Sequence, residues 1–156
     1  MPESNIDNLE KYSNYKTQMN RLKKAMTYQY YLEAMFIEYA IIEDRAEAIL
    51  RYENNSIKSK EGQFVSLDRK LNKILDIARA KNSLAKKYIE SSLIEEIRAW
   101  KDERNGMIHA LMKKSLTTQD ILILAEKGLD LSRRFTDIAT KYRRAVDRKN
   151  KRVLNG

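Results

Sequence analysis

The sequence contains no cysteine, one proline, four glycines, one histidine and one tryptophan among its 156 residues. Each shortage excludes something. Without cysteine there are no disulfides and no thiolate metal sites, which fits a reducing interior. A single proline, Pro2, and few glycines leave nothing to interrupt long helices after the first residues. One histidine is too few for zinc hydrolysis, which needs several histidine or cysteine ligands, and no His-Glu-x-x-His occurs. A di-metal helical bundle wants Glu-x-x-His pairs, yet the residue three before His109 is Gly106. There is no glycine-rich phosphate loop, and no cofactor is expected. No apolar run is long enough to span a membrane. The polar start Met1-Pro2-Glu3-Ser4-Asn5 is followed by no apolar segment, so no signal peptide is expected and the expected address is the cytoplasm.

What is present is charge. Lys and Arg number 31 against 22 Asp and Glu, a net charge of +9 with a pI near 9.6. Such a balance favours polyanionic partners, nucleic acid or an anionic surface. The plainer reading is a highly charged helical protein with excess lysine. The length suits one domain, 1–156, and a domain of this size buries roughly 68–70% of its unfolded surface.

Apolar residues recur at helical spacing along nearly the whole chain, and strand signals are absent. Residues 4–25 read as a first helix, with Ile6, Leu9, Met19, Leu22 and Met26 in period. Residues 27–53 read as a stronger one, with Leu32, Met35, Phe36, Tyr39, Ile42, Ala46, Ile49 and Leu50 on its inner face. Glu43, Asp44 and Arg45 fall inside it, either as solvated or ion-paired surface or as groups supporting a site. Residues 54–66 read as a polar loop, and Ser66 can cap the next helix, 67–81. Asn82-Ser83 reads as a stop and restart, followed by 84–113. Thr117 or Thr118 can cap the last helix, 118–149, with Asp120 favourable in its first turn. These elements predict an all-α, up-and-down bundle of about five helices. The last helix ends in a strongly basic stretch, 141–156, which is either a solvated tail or an arm for phosphates.

The chemistry concentrates in Trp100-Lys101-Asp102-Glu103-Arg104-Asn105-Gly106-Met107-Ile108-His109-Ala110-Leu111. Leu93, Ile97, Trp100, Ile108 and Leu111 make one apolar stripe, and Arg104 falls on it. A charge there is costly to bury unless paired. Either the stripe opens into a cleft, or Arg104 meets an anion or a carboxylate; Glu103, Glu96 and Asp102 are the candidate ion-pair partners. Arginine can hold a phosphate by a two-pronged contact, and histidine can move a proton near neutral pH. Five residues rotate a helix by about 140°, so Arg104 and His109 splay rather than line up. Asn105 and His109, four apart, share a neighbouring face. Gly106 marks either a tight helix crossing or room for a ligand. A second copy of the helix across a two-fold axis would bring both pairs into one cleft.

The run Arg104-Asn105-Gly106-Met107-Ile108-His109, late in a small all-helical domain, resembles the HEPN superfamily (higher eukaryotes and prokaryotes nucleotide-binding). Its hallmark is Arg-x(4–6)-His, often with a polar residue directly after the arginine. The resemblance covers most of the chain as architecture but only this motif as specific residues. It implies a metal-independent endoribonuclease acting as a homodimer with facing motifs, in a toxin–antitoxin, phage-defence or CRISPR-linked setting. In this reading Arg104, His109 and Asn105 are catalytic, and Lys101, Lys113, Lys141, Arg143, Arg144 and Arg148 contact RNA. One toxin branch continues the motif as His-x-Tyr and has that tyrosine modified by a nucleotidyltransferase antitoxin. Here the run is His109-Ala110-Leu111, so an antitoxin of another kind is the expected protein partner. The other expectation is a helical module that binds RNA or a protein without catalysis, or serves only for dimerisation.

Overall fold

The computed structural model describes residues 5–53 and 65–156, with side chains from residue 9 onward. Helices α1 (Asn5–Thr27), α2 (Tyr31–Tyr52), α3 (Leu67–Arg79), α4 (Leu84–Tyr88), α5 (Ser91–Ala110) and α6 (Thr118–Leu154) account for nearly all of them, and no strand occurs among the described residues. The protein is an all-α bundle of packed helices. Residues 54–64 of the expected loop lie outside the described residues, as does the side chain of Ile6.

Several helix ends follow from local chemistry. The Ser66 side chain accepts from the Arg69 backbone N–H and starts α3. Ser83 both ends and restarts the chain: its hydroxyl donates to the Ile77 carbonyl at 2.9 Å and accepts from the Lys86 N–H at 3.1 Å. Thr117 rather than Thr118 caps α6, in a reciprocal capping box with Asp120. The turn before α2 depends on Gln29, whose φ of 64° is left-handed, and on the Tyr30 N–H reaching the Ala25 carbonyl at 2.8 Å.

One expected helix is two. Residues 84–113 divide into α4 and α5 because Ile89 leaves helical geometry (φ −108°, ψ 106°) and inserts its side chain into the core, where it is 2% exposed. No glycine or proline marks this break; burial of one isoleucine makes it. The last helix also runs longer than expected, to Leu154.

The main core joins α2 to α6, with α3, α4 and α5 closing over it. Met35, Ile42, Ile49, Leu71, Ile74, Leu93, Ile97, Trp100, Phe135 and Tyr142 are all nearly or wholly inaccessible. Helices α2 and α6 run parallel: Glu38 abuts Gly128, and the Tyr52 and Tyr142 rings lie 6.4 Å apart. Helix α5 runs antiparallel to α6, since Glu103 pairs with Lys127 and Glu96 with Arg134. Helix α1 packs on α2 through a smaller cluster of Leu22, Ala25, Ala34, Ile37 and Ile41. Its first turns project past this contact, so Leu9, expected on the inner face, is exposed. No helix among the described residues is long and apolar enough to cross a membrane.

The tightest approach in the bundle is at Gly128. A Cβ there would lie 2.6 Å from the Trp100 ring and would also collide with the Glu38 carboxylate. The indole is fully buried and cannot swing away. Gly128→Ala is therefore expected to lower stability by about 1–3 kcal/mol, although alanine is the better helix former. Urea unfolding of the two proteins measures the difference.

Candidate functional site

Helix α5 carries the motif, and its rotation is set by Trp100. The indole Nε1–H donates to the Leu124 carbonyl at 3.0 Å, inside the notch left by Gly128. One turn later the same buried face presents Arg104, 8% exposed. The expected stripe is thus correct from Leu93 to Arg104, while Ile108 and Leu111 are only half-buried as the helix leaves the core.

Arg104 meets none of its expected carboxylates. Glu103 is held by Lys127, Glu96 by Arg134 and Asp102 by Lys101. Instead its guanidinium carbon sits 4.6 Å from the Tyr39 ring centroid and 4.9 Å from that of Phe36. Such cation–π contacts contribute about 0.5–2 kcal/mol each. Its Nη1 donates to the Asn105 Oδ1 at 2.9 Å, and its Nε is buried with no hydrogen-bond partner among the described residues. Phe36 was expected on the inner face of α2. It is 59% exposed and serves as a lid over the guanidinium.

Behind Arg104 lies Glu38, wholly buried, with neither carboxyl oxygen hydrogen-bonded among the described residues. Burial pushes its pKa up to about 9, against the pull of the Arg104 charge. A neutral carboxyl is the form this site tolerates. Burial likewise lowers the Arg104 pKa from the usual guanidinium range, with Tyr39 and Glu38 opposing. It raises that of Tyr39, with Glu43 adding to the effect. The result is a guanidinium without a carboxylate ion pair among the described residues, held in position by two rings and an amide.

His109 is exposed in the last turn of α5. Gly106, between the two, is exposed with nothing within 4 Å of where a Cβ would be. Of its two expected roles, a tight helix crossing is thereby corrected: among the described residues the space beside it is open. Arg104, by contrast, is packed on its own α2, and the chain alone does not line the two side chains up in one closed pocket.

The expected RNA contacts divide. Lys101 is 8% exposed, its ammonium held by Asp68 and, at 3.0 Å, by Asp102. It is a tie between α5 and α3, not a free cation. Lys141 is exposed but pairs with Asp137 at 2.7 Å. Lys113, Arg143, Arg144 and Arg148 are exposed. Glu43, Asp44 and Arg45 are ion-paired: Glu43 with Lys70 at 3.0 Å, and Asp44 with Arg45, whose guanidinium also lies 5.4 Å from the Tyr15 ring centroid.

No family model, curated protein or solved structure matches the chain. Among the described residues, no group of three or more His, Cys, Asp or Glu could hold a metal ion.

Sequence reasoning missed Glu38 as part of the site. A glutamate at the spacing of Ala34 and Ile42, both fully buried, is the signal that could have found it.

Unfolded Glu38 ionises near 4.5, whereas the folded group keeps its proton up to about pH 9. Its raised pKa contributes stability that is complete below about pH 4.5 and is lost as pH rises toward 9, by at most about 1.4 kcal/mol per pH unit. Glu38→Gln, neutral at every pH, should match the wild type near pH 5 and melt at a higher temperature at pH 8. Thermal unfolding across that range reads it; equal gaps at both pH values would place a charged Glu38 in the fold.

Proposed function

We propose that this chain is a metal-independent endoribonuclease of HEPN type, in an up-and-down HEPN-like bundle. The observation that carries the reading is Arg104: a guanidinium with no ion-pair partner among the described residues, braced by Tyr39, Phe36 and Asn105, on a helix whose next exposed turn ends in the only histidine. A braced, uncompensated cation is organised for an anion. The open surface beside Gly106 supplies the space.

In the reaction, the 2′-hydroxyl oxygen of RNA attacks the adjacent phosphorus and the bond from phosphorus to the 5′-oxygen breaks. The products end in a 2′,3′-cyclic phosphate and a 5′-hydroxyl. His109 takes the 2′-proton or delivers one to the leaving 5′-oxygen. Arg104 stabilises the added negative charge on the phosphorane-like transition state through N–H groups that Asn105 does not engage. Asn105 orients the guanidinium. Since Arg104 and His109 splay around one helix, a second copy of the chain supplies the opposite wall. The exposed Phe36 and Met112, which is 97% accessible, suit such a contact. A toxin or phage-defence role, with an antitoxin as protein partner and the cytoplasm as its place of action, follows from the same resemblance.

A second reading has its own support. Arg104 is 8% exposed and packed on its own α2, which suits a module that binds RNA or a partner without cutting.

Purified wild-type protein should cleave single-stranded RNA in the presence of EDTA and leave DNA of the same sequence intact. His109→Ala should lower the rate by about 10²–10⁴-fold, and Arg104→Ala by about 10²–10³-fold. End-group analysis should find the cyclic phosphate. Cleavage by pure His109→Ala protein at the wild-type rate would overturn the mechanism.

A further inference from the structure

A second site lies far from the motif, between α4 and the end of α6. Lys127 marks the level of Glu103 on α6, and Arg148 follows it by roughly six turns, about 30 Å along the helix. There a cavity of about 510 Å³ is lined by Leu84, Lys87 and Tyr88 of α4 and by Arg148, Lys149 and Arg152 of α6, with no acidic side chain in its wall among the described residues.

Several cations earlier on the helix, though not Arg133, are tied to neighbouring carboxylates. Lys127, Arg134 and Lys141 are each matched by a carboxylate: Glu103, Glu96 and Asp137. Beyond Tyr142 no such ion pair occurs among the described residues, although Asp147 adjoins Arg148 in that stretch. None of the four cations around the cavity has an ion pair among the described residues. A helix C-terminus favours cations in its last turn, which accounts for Arg152. It does not account for Arg148, a turn earlier, nor for Lys87 brought in from another helix. Arg148 and Arg152 are four apart, a spacing at which like charges destabilise a helix. Bound anion would relieve that repulsion.

The wall is not only charged. Tyr88 is half-buried, its ring braced 6.5 Å from that of Tyr142, itself fully buried. Leu84 adds an apolar flank. A firm aromatic beside clustered cations is the arrangement that holds a base and its phosphate together, and the volume falls in the range of small-molecule pockets.

We propose that this pocket binds a nucleotide unit, its phosphates on Lys87, Arg148, Lys149 and Arg152 and its base against Tyr88 and Leu84. The unit comes either from single-stranded RNA or from a free nucleoside triphosphate. The site takes in Arg148, one of the expected RNA contacts, but lies apart from Arg104 and His109 and does not need cleavage.

The test is fluorescence anisotropy of the full chain with a labelled 2′-O-methyl RNA that cannot be cleaved, competed with nucleoside triphosphate and with inorganic triphosphate. Arg148→Gln with Arg152→Gln should weaken RNA binding about tenfold and reduce the slope of log affinity against log salt by about 1.4. Lys23→Gln with Lys24→Gln, the same loss of charge on α1, should stay within about twofold. Tyr88→Leu should weaken binding about fivefold or more with helicity unchanged by circular dichroism. Competition by the nucleoside triphosphate assigns the free nucleotide as ligand, and its failure with intact RNA binding assigns the strand; either result supports the pocket. Equal losses from the α6 and α1 pairs, equal competition by inorganic triphosphate, or adsorption to phosphatidylserine vesicles with no nucleotide binding would overturn it. His109→Ala should lower cleavage by about 10²–10⁴-fold without changing this binding, so the two readings fail separately.

Discussion

The Trp100 indole in the notch at Gly128 is the contact on which the remainder of the molecule turns. A ring of that size can lie between α2 and α6 only where one of them has no side chain. Its single polar atom is satisfied by the Leu124 carbonyl, released from nothing but the helix surface it already faces. With ring and hydrogen bond both set, α5 has one rotation and one height. Every later residue of α5 inherits its direction from there: Arg104 inward one turn on, Gly106 and His109 outward.

That inheritance explains how the bundle tolerates a guanidinium at a core position. The usual remedy, a buried ion pair, carries a desolvation cost that its attraction only partly offsets. This chain has a carboxyl close by, yet Glu38 is so deeply enclosed that it holds a proton rather than a charge. The positive charge is met by the faces of two aromatic rings instead, and those faces leave it uncancelled. An arginine so placed is rigid and still electrostatically available. This combination, more than the spacing of the motif, is the physical basis for reading the end of α5 as an anion site.

The two ends of the bundle handle charge differently. Around the middle of α5 and α6, cations and carboxylates alternate across the helix interface and tie α3, α5 and α6 together, as Lys101 with Asp68 and Arg134 with Glu96 illustrate. At the far end of α6 Asp147 is the one acidic residue among Arg143, Arg144, Arg148, Lys149, Lys151 and Arg152, and no ion pair there occurs among the described residues. The net charge of +9 is therefore concentrated rather than spread. Lys101 shows why counting basic residues near a motif misleads: a lysine with two acidic neighbours on packed helices is already engaged.

Read alone, the sequence determined the helical class, most of the core, the cap at Ser66, a cap at Thr117 or Thr118, and the anomaly of Arg104 on an apolar stripe. All of these are decided within one or two turns, by periodicity and by side chains that bond to their own backbone. Contacts between distant segments were decided only by the tertiary structure. The break at Ile89 goes with the burial of that side chain in the core, which no neighbouring residue announces. Phe36 looked like core because its period is right, but α2 ends its cover there and the ring folds over Arg104 instead. Glu38 acquires its character from Trp100, Gly128 and Arg104, none of them within sixty residues. Burial, and the electrostatics that follow from it, is a property of what arrives from elsewhere in the chain, and a local pattern cannot contain it.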